Sequence, residues 1–316
     1  MLIRNKQLLW LIVFVLAITA NVRAQQDNPL ETIRIDTNLV VLRIAVTDQH
    51  GRAATSLKQN AFRVYEDGVE QQVRFFSAEE SPVTWGLVLD RSGSMMGMMS
   101  DVYEAALHVI DEGTRRDETF IVTFNRRPEL IIDFTSDQHQ LETSILGLRA
   151  DGETALFNAV EYALDHLKQG KYRKRVLVVV TDGEDNASRL KLRELIERAE
   201  EEEAVTYTVG MFGPMGGGLG PMGTASGDRD ARAELKKLAE VTGGSAHFPY
   251  NVDQCKDVMK EIAREVSQQY SLGYYPLNKE RDGKWRKIKV AVGQSGSSAR
   301  LIARIRSGYY ARKEEQ

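Results

Sequence analysis

The chain has 316 residues, of which 42% are hydrophobic and 28% charged, with a formal net charge of −3. That composition belongs to an ordinary globular protein and excludes wholesale disorder, while the mild acidity argues against a nucleic-acid partner, which requires a basic face. The one cysteine, Cys255, excludes an internal disulfide, and the histidines at 50, 108, 139, 166 and 247 lack metal-ligand spacing, which disfavours zinc.

In chain order, Arg4 and Lys6 precede the apolar run LLWLIVFVLAITA (Leu8 to Ala20), and Val22-Arg23-Ala24 makes a small-residue exit before Gln25. Residues 1–24 therefore read as a secretory signal peptide. Such a run spans roughly 20 Å as a helix, short of the ~30 Å hydrocarbon core, which favours cleavage over retention as an uncleaved anchor and leaves no stable transmembrane span. Its removal leaves 39 basic against 45 acidic residues, a net charge of about −6. Export with a single thiol suits a bacterial periplasmic or secreted protein.

Residues 25–81 read as an N-terminal β segment. NLVVLRIAVTD, the turn QHGR and AFRVYEDGVEQQVRFFSAEE follow one another, and Asp67-Gly68 predicts a tight hairpin because both residues accept positive φ. Over residues 82–268 strands alternate with helices. VTWGLVL, TFIVTF, RVLVVV and VTYTVG are continuous apolar runs, the mark of strands buried on both faces. Val102, Ala105, Ala106, Val109 and Ile110 share one helix face, as do Leu156, Ala159, Val160 and Ala163; Arg229 to Glu240 and Gln254 to Val266 are the last helices. The pattern predicts an α/β fold with a doubly wound, mostly parallel sheet. ELIIDF (Glu129 to Phe134) follows TFIVTF too soon for a crossover helix and is expected as an antiparallel edge strand.

KYRKR (Lys171 to Arg175) reads as a solvated loop before a strand. Residues Gly210 to Gly227, with GPMG twice, read as a flexible surface excursion, and no Lys-Ser/Thr sequel makes them a phosphate cradle. Residues 269–316 return to strands in QYSLGYYPL, WRKIKVAV and ARLIARIRSGYYA. This C-terminal β segment is expected to pair with the N-terminal one into a small β domain built from both flanks.

Open parallel sheets bind ligands beyond the carboxyl ends of their strands. Three polar segments fall there: DRSGS after VTWGLVL, DGETAL (Asp151 to Leu156) opening a helix, and TDGEDN after RVLVVV. They offer the carboxylates of Asp90 and Asp182 and the hydroxyls of Ser92, Ser94 and Thr154. An all-oxygen set suits a hard cation, Mg²⁺ first and Mn²⁺ or Ca²⁺ after it. Gly93 is expected to turn the loop so that both serines face inward. Glu184 and Asp185 read as a solvated loop. A competing reading makes these residues helix caps, Thr154 before ALFNAVEYAL above all.

Asp90-Arg91-Ser92-Gly93-Ser94, Thr154 in GETAL and Thr181-Asp182-Gly183 together resemble the metal-ion-dependent adhesion site of von Willebrand factor type A domains, over roughly Pro82 to Val266. The flanking motifs LxxxVTDxxG, FxVYEDG, YxLGYYP and GYYA resemble an exported bacterial subfamily of such proteins. The resemblance implies that Ser92 and Ser94 ligate the metal through hydroxyls, that Thr154 does so in the ligand-binding state, and that Asp90 and Asp182 act through bound water. The sixth position then belongs to an Asp or Glu of a protein or matrix partner. The implied function is a binding module and not an enzyme, with a shift of the helix Gln254 to Val266 on ligand entry that passes into YSLGYYP. Glu153 stands where such domains often have glycine. Two other functions remain open: a scaffold with a structural metal, and a hydrolase using Asp90 as nucleophile, against which Ser92 counts.

Overall fold

The computed structural model describes residues 39–49, 53–78, 81–112, 116–212, 227–293, 301–311 and 313. The signal-peptide segment, the centre of the QHGR turn and most of the Gly210 to Gly227 stretch lie outside the described residues. Those described belong to one compact unit, Leu39–Gln316.

The α/β half is organised by β5 (Val83–Asp90), β6 (Glu118–Phe124), β7 (Pro128–Thr135), β8 (Lys174–Thr181), β9 (Ala204–Gly210) and β10 (Ala246–His247). Their order is β10-β9-β8-β5-β6-β7. All pairings are parallel except β6 with β7, so the edge strand is antiparallel as its short connection requires. Every residue of β5 and of β9 is buried, which is why those strands read as unbroken apolar runs.

Among the described residues three helices cover each face. α1 (Met99–Glu112), α2 (Gln138–Ile145) and α6 (Val252–Ser267) send Val102, Ala106, Ile145, Met259 and Ile262 onto Trp85, Leu87, Leu89 and Val178. α3 (Leu156–Leu167), α4 (Leu192–Glu201) and α5 (Gly227–Thr242) send Leu156, Val160, Leu195 and Leu235 onto Val88, Phe120 and Val179. Alternate side chains of one strand therefore feed opposite cores. Gly86 is required by a close approach: a Cβ there would lie 2.6 Å from the Phe120 ring.

The chain flanking this half forms two antiparallel sheets. β1 (Val40–Asp48), β4 (Val73–Ser77), β11 (Tyr270–Tyr274) and β13 (Leu301–Arg304) are ordered β13-β1-β11-β4. β2 (Phe62–Glu66), β3 (Val69–Gln71), β12 (Trp285–Val292) and β14 (Gly308–Tyr310) are ordered β14-β12-β2-β3. They share one core, in which Leu42, Ile44 and Leu272 of one sheet meet Val64 and Ile288 of the other, so the flanks build a sandwich. Asp67 and Gly68 make the β2–β3 turn at φ 48° and 85°.

One inward position of β2 is a carboxylate. Glu66 is 2% exposed and accepts hydrogen bonds from the hydroxyls of Tyr274 (2.8 Å) and Tyr309 (2.9 Å). Such donors offset the cost of burying it.

Two sequence expectations need correction. Lys174 is not part of a solvated loop: it is 4% exposed as the first residue of β8, and its Nζ donates to the Val266 carbonyl at the end of α6. A cation there complements the negative helix end. The strand read through VEQQVRFF is broken at Gln72 into β3 and β4, which enter different sheets.

Candidate metal centre

The order of the large sheet reverses at β5. From there the chain moves outward to β6 and β7, then returns to place β8 on the other side of β5. The gap beyond the carboxyl ends of β5 and β8 is thus a topological switch point, where open α/β sheets hold ligands. Asp90 ends β5, and Asp182 follows the last residue of β8.

The first loop folds back on Asp90. Ser92 N donates to Asp90 Oδ1 at 2.8 Å, and the Thr181 hydroxyl donates to Oδ2 at 2.6 Å. The Ser92 and Ser94 hydroxyls lie 3.0 Å apart, and the Ser94 side chain hydrogen-bonds Asp182. Asp90 and Ser92 are fully buried, Asp182 is half-buried and Ser94 is exposed, so the cluster has a closed floor and an open rim.

The second loop is tied to the first by Gly93 N to Gly152 O and Asp151 N to Arg91 O, both 2.8 Å. It is tied to the third by Thr154, whose carbonyl accepts from Asn186 N and Ala187 N at 3.0 Å and whose N–H donates to Asn186 Oδ1 at 2.8 Å. Thr154 is 2% exposed. The three segments thus meet on one rim, bringing Asp90, Ser92, Ser94, Thr154 and Asp182 into one neighbourhood.

Gly93 serves differently from the turn expected of it. It does not lie at positive φ; a Cβ there would sit 3.2 Å from Gly152 O, so glycine permits the loop-to-loop hydrogen bond. Gly152 is the one with left-handed backbone, at φ 81°.

The helix-cap reading of Thr154 does not hold, because Ala155 is the N-cap of α3 and provides no side-chain bond. The free N–H groups of that helix are met from the third loop: Phe157 N donates to Asp185 Oδ1 at 3.3 Å and Asn158 N to Ser188 Oγ at 3.1 Å. Asp185, read as solvated, is therefore a helix-end acceptor. Thr181 and Asn186 orient Asp90 and Thr154, and their one signal in the sequence is a place beside Asp182 at a strand end.

Burial raises the Asp90 carboxyl to about 7, the negative charge of Asp182 adds to the rise, and the hydrogen bonds from Ser92 and Thr181 only partly oppose it. Asp182 is raised as well, first by burial, with the Ser94 hydrogen bond opposing. Two carboxylates that raise their own proton affinity in a poorly solvated pocket favour a compensating cation. Among the described residues no three His, Cys, Asp or Glu side chains are placed to hold a metal. Any ion here depends on hydroxyl oxygens for the rest of its coordination.

A doubly wound open sheet with an oxygen-lined cluster at its switch point defines the α/β half. The von Willebrand factor type A domain is the family whose model matches residues 86–184 of this chain. In three dimensions it is similar to a von Willebrand factor type A protein from Catenulispora acidiphila, at 12% identity and a TM-score of 0.50, over 88% of this chain and 76% of that one. BatB from Bacteroides thetaiotaomicron is similar over 58% of this chain and 98% of its own, at 18% identity and a TM-score of 0.47. Proximal thread matrix protein 1 from the mussel byssus, whose structure has a zinc-occupied MIDAS motif, is similar at 15% identity and a TM-score of 0.49, over 64% of this chain and 49% of that one.

Proposed function

We propose that this protein is an exported binding module that holds a divalent cation, Mg²⁺ in the first place, at the β5–β8 switch point and presents it to an acidic side chain of a protein or matrix partner. The observation that carries the reading is the meeting of two carboxylates and three hydroxyls, with Asp90 and Ser92 fully buried below and Ser94 exposed above. The donor set fits a hard cation, being all oxygen and rich in neutral hydroxyls. Ser92, Ser94 and Thr154 would hold it directly, with Asp90 and Asp182 acting through water. The cation would supply positive charge that neutral ligands leave largely intact, and this attracts a carboxylate.

The chain's own residues prepare that role. Thr181 and Ser92 N orient Asp90, Asn186 fixes Thr154, and the hydrogen bonds among the three loops hold the rim in place. A hydrolase with Asp90 as nucleophile is disfavoured because that carboxylate is fully buried and both oxygens accept hydrogen bonds. No helix among the described residues is long and apolar enough to cross a membrane. The reading of export rests on residues 1–24.

The test is a calorimetric titration of Mg²⁺ into the wild-type protein and a Ser92→Ala/Thr154→Ala variant, followed by an acidic peptide in Mg²⁺ or in chelator. Saturable Mg²⁺ heat confined to wild type, and peptide binding only with Mg²⁺, is expected. Equal heats in both proteins would overturn the assignment.

A further inference from the structure

At the other end of the large sheet, roughly 25 Å along β8 from Asp182 at ~3.3 Å per residue, a second pocket opens where the α/β half meets the sandwich. It has a volume of about 50 Å³ and is lined by residues that include Arg43 of β1, Arg173 before β8, Glu203 before β9 and Arg306 between β13 and β14. That volume exceeds the one-water minimum several-fold and suits a small polyatomic ion.

Positive charge in this place is poorly compensated. Arg43 feels the charges of Arg173, Arg175 and Arg306 and, on the other side, only Glu203. The second acid of the lining, Glu202, is taken by Lys168 at 2.7 Å. Among the described residues no carboxylate forms an ion pair with Arg43, Arg173, Arg175 or Arg306. Arg306 Nε and Arg175 Nε are buried N–H donors without an acceptor, although other nitrogens of these side chains reach Val41 O (3.4 Å) and Lys168 O (2.8 Å). Burial draws the Arg43 guanidinium down to about 10, against the pull of Glu203, and the neighbouring arginines add to the fall.

Half-buried Arg43 and Arg306 set close together, with the Arg306 Nε donor unanswered, cost stability unless an anion meets them. Guanidinium groups match the geometry of tetrahedral oxyanions. We propose that the pocket between Arg43, Arg173 and Arg306 is a binding site for a small tetrahedral oxyanion, phosphate or sulfate, that clamps the sandwich to the α/β half. The site shares no residue with the candidate metal centre and does not rest on the function proposed for it.

The test is a thermal-unfolding titration of the full chain with inorganic phosphate, and separately sulfate, in chelator at constant ionic strength set with sodium chloride. Wild type is expected to show a saturating rise in Tm of about 3 °C or more at millimolar anion. Arg43→Met keeps an unbranched apolar stem and removes the charge; it is expected to lose the rise while matching or exceeding the wild-type Tm in anion-free buffer. A merely structural Arg43 would instead lower that Tm. Arg306→Met serves as the second variant if the first does not fold. A wild-type response to phosphate and sulfate no larger than to chloride, or an undiminished response in a folded variant, would overturn the proposal.

Discussion

The Thr181 hydroxyl donates a hydrogen bond to Asp90 across 2.6 Å, joining the last residues of two neighbouring parallel strands. With Ser92 N on the other oxygen, this bond fixes Asp90 in a buried place where its negative charge is costly. Protons and cations are therefore expected to compete for the same neighbourhood.

The first prediction follows from that competition. Between the ordinary carboxylate pKa of 3.8 and its folded value of about 7, Asp90 holds a proton in the native state that the unfolded chain has lost. Metal-free stability then falls as pH rises through this window, by up to about 1.4 kcal/mol per pH unit from this group. Cation affinity runs the other way, rising from pH 5 and flattening above pH 7. Mg²⁺ calorimetry between pH 5 and 8 checks it; an affinity independent of pH would contradict it.

Asp90→Asn removes the charge and keeps an acceptor for Ser92 N. In chelator at pH 7 the variant should be at least as stable as wild type, and Mg²⁺ should no longer shift its Tm. Differential scanning calorimetry with and without Mg²⁺ reads both effects.

Gly93→Ala places a methyl group 3.2 Å from the Gly152 carbonyl oxygen. The two loops must separate, at a cost of about 1–2 kcal/mol in urea unfolding. Weaker Mg²⁺ binding should accompany the loss, since the same contact aligns Ser92 and Ser94 with Thr154.

At the far end of α6, Glu265 accepts from the Tyr207 hydroxyl at 2.7 Å and pairs with Arg304. Glu265→Gln leaves Arg304 without its counter-charge and should cost about 3 kcal/mol in urea unfolding. A change below 0.5 kcal/mol would show that the pair anchors nothing.

Acid should weaken the same region. Burial lowers His247 to about 4, with Arg304 adding to the fall. Its contribution is complete above pH 6.5 and is lost as pH drops from there toward 4, by up to about 1.4 kcal/mol per unit, because only the unfolded chain takes the proton. In His247→Gln the acid-side slope of stability should flatten between those values.

The parallel strands were legible because burial on both faces leaves unbroken runs such as VTWGLVL, and the edge position of β7 followed from a connection too short for a helix. The helix faces of α1 and α3 were legible for the same reason, through spacing alone. Lys174 was not, since nothing in KYRKR marks which basic residue turns inward to the end of α6. The meeting of Tyr274 and Tyr309 on Glu66 was equally hidden: FxVYEDG, YxLGYYP and GYYA stand far apart, and only the pairing of β12 with β2 and β14, with β11 packed across the shared core, brings their polar ends together. At the candidate site the three segments could be read from strand ends, whereas the work of Gly93, Asp185 and Asn186 depends on contacts between loops that spacing does not encode.

Ser77 of β4 pairs with Ser271 of β11, and the whole α/β half lies between them along the chain. During synthesis β1 and β4 leave the ribosome long before their shared neighbour β11 exists. Their hydrogen-bonding edges stay open until the inserted half has folded and drawn its two ends together. Sandwich closure is thus the late, high-contact-order step, and a slow-folding inserted half would leave those edges exposed to aggregation.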